Sequence, residues 1–170
     1  MKLASIEAVA RALNDADVRY LIVGGLAVAA HGYARTTFDV DLVVQLHPDN
    51  VLRAMDTLES LGYRPLAPVK LADFADVSIR ESWIRDKHMV VFQLRSDQHR
   101  ETTLDIFVTE PFDFDAEYDR ALTGDILPGV RVRFVRLETL IQMKEAANRP
   151  KDQEDIRQLK LLPRDADDVR

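Results

Sequence analysis

Residues 35–44 read Arg35-Thr36-Thr37-Phe38-Asp39-Val40-Asp41-Leu42-Val43-Val44, and the alternation inside this stretch decides the fold class. Side chains two apart on a strand share a face, so Asp39 and Asp41 project together while Phe38, Val40, Leu42 and Val44 face a core. Two adjacent carboxylates repel each other unless a cation sits between them. Magnesium is the natural ion, being hard, oxygen-ligated and a binder of phosphates. The stretch therefore predicts a half-buried strand whose polar side carries metal chemistry.

Upstream, residues 18–23 (VRYLIV) predict a buried strand, broken by Gly24-Gly25 and followed by a small-residue helix over 26–31. A strand entering a helix through glycines lets backbone amides approach phosphate oxygens without a Cβ in the way. The helix N-terminus adds partial positive charge there. This is not the longer Walker loop, whose Lys and Ser/Thr are absent. Downstream, Leu104-Asp105-Ile106-Phe107-Val108 repeats the alternation with a single acid on the polar side. If that strand lies beside the first, three carboxylates converge and can hold two ions. One would activate an acceptor hydroxyl and the other would bridge a triphosphate. Such chemistry needs positioning and electrostatics more than a protein nucleophile.

The rest of the chain supplies helices and further strands. Leu3, Ile6, Val9, Ala10 and Leu13 form a helical stripe over 3–14, and Val51, Leu52, Met55 and Leu58 do the same over 48–61 before Gly62. Residues 77–84, 89–94 and 103–108 read as strands, the last two joined as a hairpin through the polar turn at 95–101. The acidic segment 111–123 fits neither period. A turn at Pro128-Gly129 precedes a short strand over 130–135. Helices are expected over 137–148 and, after Pro150, over 152–162. The fold class is α/β (α+β): one domain over 1–170 whose part at 136–162 is helical, with no repeat or linker.

Composition narrows the function classes. The 170 residues are 46% hydrophobic, enough for a real core. No run of about 18 apolar residues suggests a membrane span, and the charged N-terminus is unlike a signal peptide. The absence of cysteine excludes disulfides, thiol catalysis and thiolate metal sites. A soluble, cytoplasmic protein without a membrane partner is expected. The net charge of −6 disfavours non-specific nucleic-acid binding, although a local basic stripe is compatible with it.

Gly24-Gly25, Asp39-Val40-Asp41 and Asp105 together resemble the signature of the polymerase-beta-type nucleotidyltransferases. Arg35 through Leu42 is similar to the branch holding abortive-infection-type toxins and small lincosamide or aminoglycoside nucleotidyltransferases. So is the late helix with Lys144, Arg149, Lys151 and Asp152, followed by Asp155. The resemblance implies a mixed β-sheet flanked by helices, Mg2+ bound as two ions, and a nucleoside triphosphate such as ATP as donor. A hydroxyl of the acceptor would attack the α-phosphate and release pyrophosphate. Asp39 and Asp41 take the metal-ligand role by position, and Asp105 is the third catalytic acid, as ligand or general base. Gly24, Gly25, Arg35 and Thr36 fall on the nucleotide-binding side, with Lys144 and Lys151. Gly25 stands where many members carry serine. The acceptor stays open between a small molecule, a protein side chain and an RNA end, and the toxin likeness implies an antitoxin partner.

Blander readings stand beside these. Lys144 and Lys151 neutralise a triphosphate, or they balance Glu145, Asp152 and Asp155 in a surface network. Arg35 orients either phosphate or carboxylate. Asp113, Asp115, Glu117 and Asp119 read as a solvated face, His31 as a helix-end residue, and Trp83 and Phe92 as core. The rival function is a catalytically weak nucleotide- or partner-binding module of a toxin–antitoxin pair. The intact acids argue against it, and the shortage of histidine near them argues against phosphoester hydrolysis.

Overall fold

The computed structural model describes residues 1–162; positions 163–170 of the expected domain lie outside the described residues. Its strands are β1 (Tyr20–Ile22), β2 (Asp39–Val44), β3 (Tyr63–Pro65), β4 (Val91–Ser96), β5 (Thr103–Phe107), β6 (Leu122–Leu127) and β7 (Val130–Phe134). They form one mixed sheet of seven strands in the order β3-β4-β5-β2-β1-β7-β6. The helices are α1 (Leu3–Asp15), α2 (Gly24–Ala30), α3 (Pro48–Ser60), α4 (Val77–Lys87), α5 (Phe114–Asp119), α6 (Leu137–Ala147) and α7 (Pro150–Leu159).

The central strand β2 pairs antiparallel with β1 and parallel with β5, and β5 pairs antiparallel with β4 as the expected hairpin. Val40, Leu42, Leu104 and Ile106 are buried together on the apolar face. The stripes of α1 and α3 enter the same core through Leu13, Val51, Met55 and Leu58, while Leu52, expected on that stripe, is exposed. Trp83 and Phe92 are core residues: their rings stack at 5.1 Å, and Phe92 stacks on Phe74 at 5.2 Å.

Three expectations need correction. Residues 77–84 are not a strand but most of α4. The Asp76 side chain caps this helix by accepting from the Ile79 N–H, and Arg80 and Trp83, three apart, bury together. The alternation Val77-Ser78-Ile79 is too short to override that cap. Second, β3 and β6 were not anticipated. β3 has only three residues after the left-handed Gly62, and β6 is an exposed edge held by its hairpin to β7 through Gly129. Third, the acidic segment is not uniformly solvated. Asp115 is, in an exposed pair with Arg19, but Glu117 is buried on α5. It accepts from the Arg136 backbone at 2.7 Å, the Arg136 guanidinium at 2.8 and 3.0 Å, and the Thr139 hydroxyl at 2.7 Å. Burial pushes the Glu117 carboxyl up, yet these donors hold it below its ordinary range. The grip fixes the start of α6.

His31 closes α2 as expected, with Nε2 lying 2.8 Å from the Val135 carbonyl oxygen. Among the described residues no helix is long and apolar enough to cross a membrane.

Candidate active site

The register brings the acids together. Asp41 on β2 lies directly beside Asp105 on β5, and Asp39 lies beside Thr103. One strand further out, Gln93 on β4 stands opposite Asp105. A polar row Gln93–Asp105–Asp41 therefore crosses three strands on the face away from the core. The Gln93 amide donates to both Asp105 oxygens, at 3.1 and 3.3 Å, and the Thr103 hydroxyl donates to Asp39.

The alternation continues back beyond β2. Arg35 and Thr37 are half-buried with Asp39 and Asp41, whereas Thr36 and Phe38 are exposed; Phe38, expected to face the core, is 70% exposed instead, lying just ahead of the first residue of β2. The three acids, Gly24, Gly25, Arg35, Thr37, Lys144 and Lys151 all line one cleft of about 790 Å³. Thr36 does not, and Thr37 occupies the position expected of it. Arg149, read in the sequence as a group able to neutralise a triphosphate, lines the cleft as well, and Gln93, Thr103 and Thr37 are polar groups that the motifs do not single out. For Thr37 the missing signal was available, because the strand's period of two extends through it.

The glycines open α2 against the acids. Gly24 has φ +61°, and a Cβ built on it would lie 1.9 Å from Asp41 Oδ2, so no side chain fits. The Gly25 backbone N–H favours the ionised form of the Asp41 carboxylate. Lys144 is buried rather than part of a surface network. Its ammonium lies 2.7 Å from Asp155 and 3.3 Å from Asp152, both also buried. Arg149 reaches Asp152 at 2.6 Å, and Arg35 Nε lies 3.4 Å from Asp155. Burial raises the Asp152 carboxyl, but Arg149 and Lys144 outweigh it and hold the group low. This clasp ties α6 and α7 to the loop ahead of β2. The cleft also has apolar lining, with Val91, Phe107, Leu140 and Met143 in its wall.

Burial, then the neighbouring Asp105, push the Asp41 carboxyl up to about 6, against the opposing Gly25 N–H. Asp105 is likewise raised, by burial first, with Gln93 and Lys151 opposing. Hard carboxylate oxygens whose ionisation is resisted in this way fit a divalent cation. Among the described residues no three His, Asp or Glu side chains close into a metal-holding cluster. A direct expectation follows for the metal-free protein. Asp41 has a folded pKa of about 6 against an ordinary 3.8, so its contribution to stability is present below the lower value and lost as pH rises through the upper one. In chelator, the wild type should lose about 2 kcal/mol relative to Asp41→Asn between pH 4 and pH 7. Urea melts of both proteins at the two pH values check this, and parallel stabilities would refute it.

A family described as "Nucleotidyltransferase of unknown function (DUF6036)" matches residues 1–166. No curated protein sequence matches. The fold is similar to the crystal structure of ANT(2")-Ia in complex with adenylyl-2"-tobramycin, at TM-score 0.57 and 17% identity, covering 92% of this chain and 86% of that one. It is similar to the lincosamide antibiotic adenylyltransferase LnuA with lincomycin bound, at TM-score 0.50 and 16% identity, covering 86% and 89%. An antigenic nucleotidyltransferase-like protein from Paracoccidioides brasiliensis matches at TM-score 0.53 and 19% identity, covering 92% and 74%. At these identities the likeness is one of fold.

Proposed function

We propose, given that this chain belongs to the nucleotidyltransferase family DUF6036, that it moves a nucleoside monophosphate from a nucleoside triphosphate onto a hydroxyl of a small acceptor. ATP is the first donor to test. The observation that carries the reading is the register-matched pair Asp41 and Asp105, beside Asp39, in a cleft that also holds Arg35, Lys144 and Lys151.

Nucleotidyltransferases generally use divalent metals, and Asp39, Asp41 and Asp105 are the residues that would hold Mg2+. When bound, the ions would neutralise the triphosphate and activate the acceptor hydroxyl. The chain's own groups do the rest. Arg35, Arg149 and Lys151 bind the triphosphate, and the wall of Val91, Phe107 and Met143 takes the nucleoside. The acceptor oxygen bonds to the α-phosphorus as the bond to the bridging oxygen breaks and pyrophosphate leaves. Asp105, held in place by Gln93, accepts the hydroxyl proton. Two of the fold neighbours carry antibiotics or an antibiotic adduct, which favours a small-molecule acceptor over an antitoxin-linked role.

Calorimetric titration with each nucleoside triphosphate, with and without Mg2+, tests the donor half. We expect saturable, Mg2+-dependent binding of at least one triphosphate. Absence of binding by the folded protein would replace this reading with that of a partner-binding module.

A further inference from the structure

Gly25 has no room for a side chain, for a reason separate from Gly24. A Cβ built on it would lie 2.5 Å from Thr37 Oγ1 and 2.7 Å from Arg35 Nη2. A hydroxyl and a guanidinium nitrogen thus occupy the space over the first turn of α2 where a side chain of residue 25 would stand. Both belong to residues lining the cleft beside Asp39 and Asp41. Thr37 Oγ1 is only weakly committed, whereas Arg35 is paired with Asp155 through its Nε end. Thr37 Oγ1 has a long contact of 3.3 Å to the Asp39 carbonyl oxygen, and the buried Arg35 Nε faces Asp155 without a hydrogen bond. Asp155 thereby turns the far end of the guanidinium toward Gly25.

We propose that Thr37 Oγ1 and Arg35 Nη2 together form the clamp that grips a phosphate oxygen of the donor, with Gly25 the residue that makes room for both. Thr37, not its exposed neighbour Thr36, is then the hydroxyl that contacts substrate. A hydroxyl and a guanidinium meeting at one point suit an anionic oxygen, since both donate and the charge-assisted bond is the stronger kind. This inference rests on the donor site proposed above.

The test is Mg·ATP affinity by calorimetry in the full chain, with melting temperature as the check on folding. Thr37→Val should weaken binding about tenfold or more, the loss of one hydrogen bond to a charged group. Thr37→Ser should bind like the wild type, and so should Thr36→Val. Gly25→Ser alone should weaken binding by crowding the clamp. Gly25→Ser with Thr37→Gly should recover much of it, because this removes both Thr37 Oγ1 and the Thr37 Cβ that would lie 2.7 Å from a Cβ on residue 25, and the serine hydroxyl enters the vacated space. That recovery separates phosphate contact from a loop tie, since a hydroxyl on residue 25 does not restore the contact to Asp39. Wild-type affinity in Thr37→Val, or no recovery in the double variant, overturns the clamp alone. A wild type that binds none of the nucleoside triphosphates with Mg2+ overturns the donor site and the clamp together.

Discussion

Asp39→Asn is expected to lower nucleotide transfer on the order of a thousandfold, the worth of several kcal/mol of metal-borne charge stabilisation. The substitution changes charge but not shape. Its amide oxygen still accepts the Thr103 hydroxyl, and the residue remains half-buried on β2, so secondary structure and melting temperature should hold. Asp41→Asn should lose activity to the same degree. The two differ in stability, because Asp41 is the carboxylate whose ionisation burial and Asp105 resist. Loss of turnover with an intact fold in both variants supports the assignment. Activity within tenfold of wild type in either would sink it for that residue.

The second large effect concerns the clasp. Lys144→Met should destabilise the protein by about 3–5 kcal/mol, since it leaves Asp152 and Asp155 buried with one cation fewer. The methionine fits the space, so packing alone does not account for such a loss. Lys144→Met with Asp155→Asn should recover a good part of it, leaving Asp152 to Arg149. Denaturant melts of the single and double variants decide the matter. An additive double variant would mean that Lys144 and Asp155 do not act as a pair.

The contrast between what the residues announced and what they concealed has a physical basis. The acids on β2 and β5 were readable because the period of two is local: Asp39, Asp41 and Asp105 each declare their face through their immediate neighbours. That the two strands lie side by side was a condition, and the register Asp41 to Asp105 meets it. Helix α4 escaped because its apolar residues fit both periods over a few positions, and the Asp76 cap decided between them. Edge strand β6 escaped because little of it is buried, and only its pairing with β7 makes it a strand. The clasp was concealed for a different reason. Lys144, Asp152 and Asp155 look solvated on any single helix, and they become a buried network only once α6 and α7 fold against each other. Glu117 is the same case, since its partners Arg136 and Thr139 lie on another element.

The pairing of β2 with β5 also governs when in the life of the chain the site comes into being. Asp39 meets Thr103 across 64 positions, whereas β1 and β2 join segments much closer in sequence. Contacts that close long loops form late, because the entropy of closure must be met before the contact returns anything. On the ribosome, the emerging chain holds Asp39 and Asp41 well before Asp105 has been synthesised. A nascent or truncated chain ending ahead of β5 therefore carries two of the acids and no third, and the electrostatic repulsion among all three is met only after most of the core that offsets it has been translated.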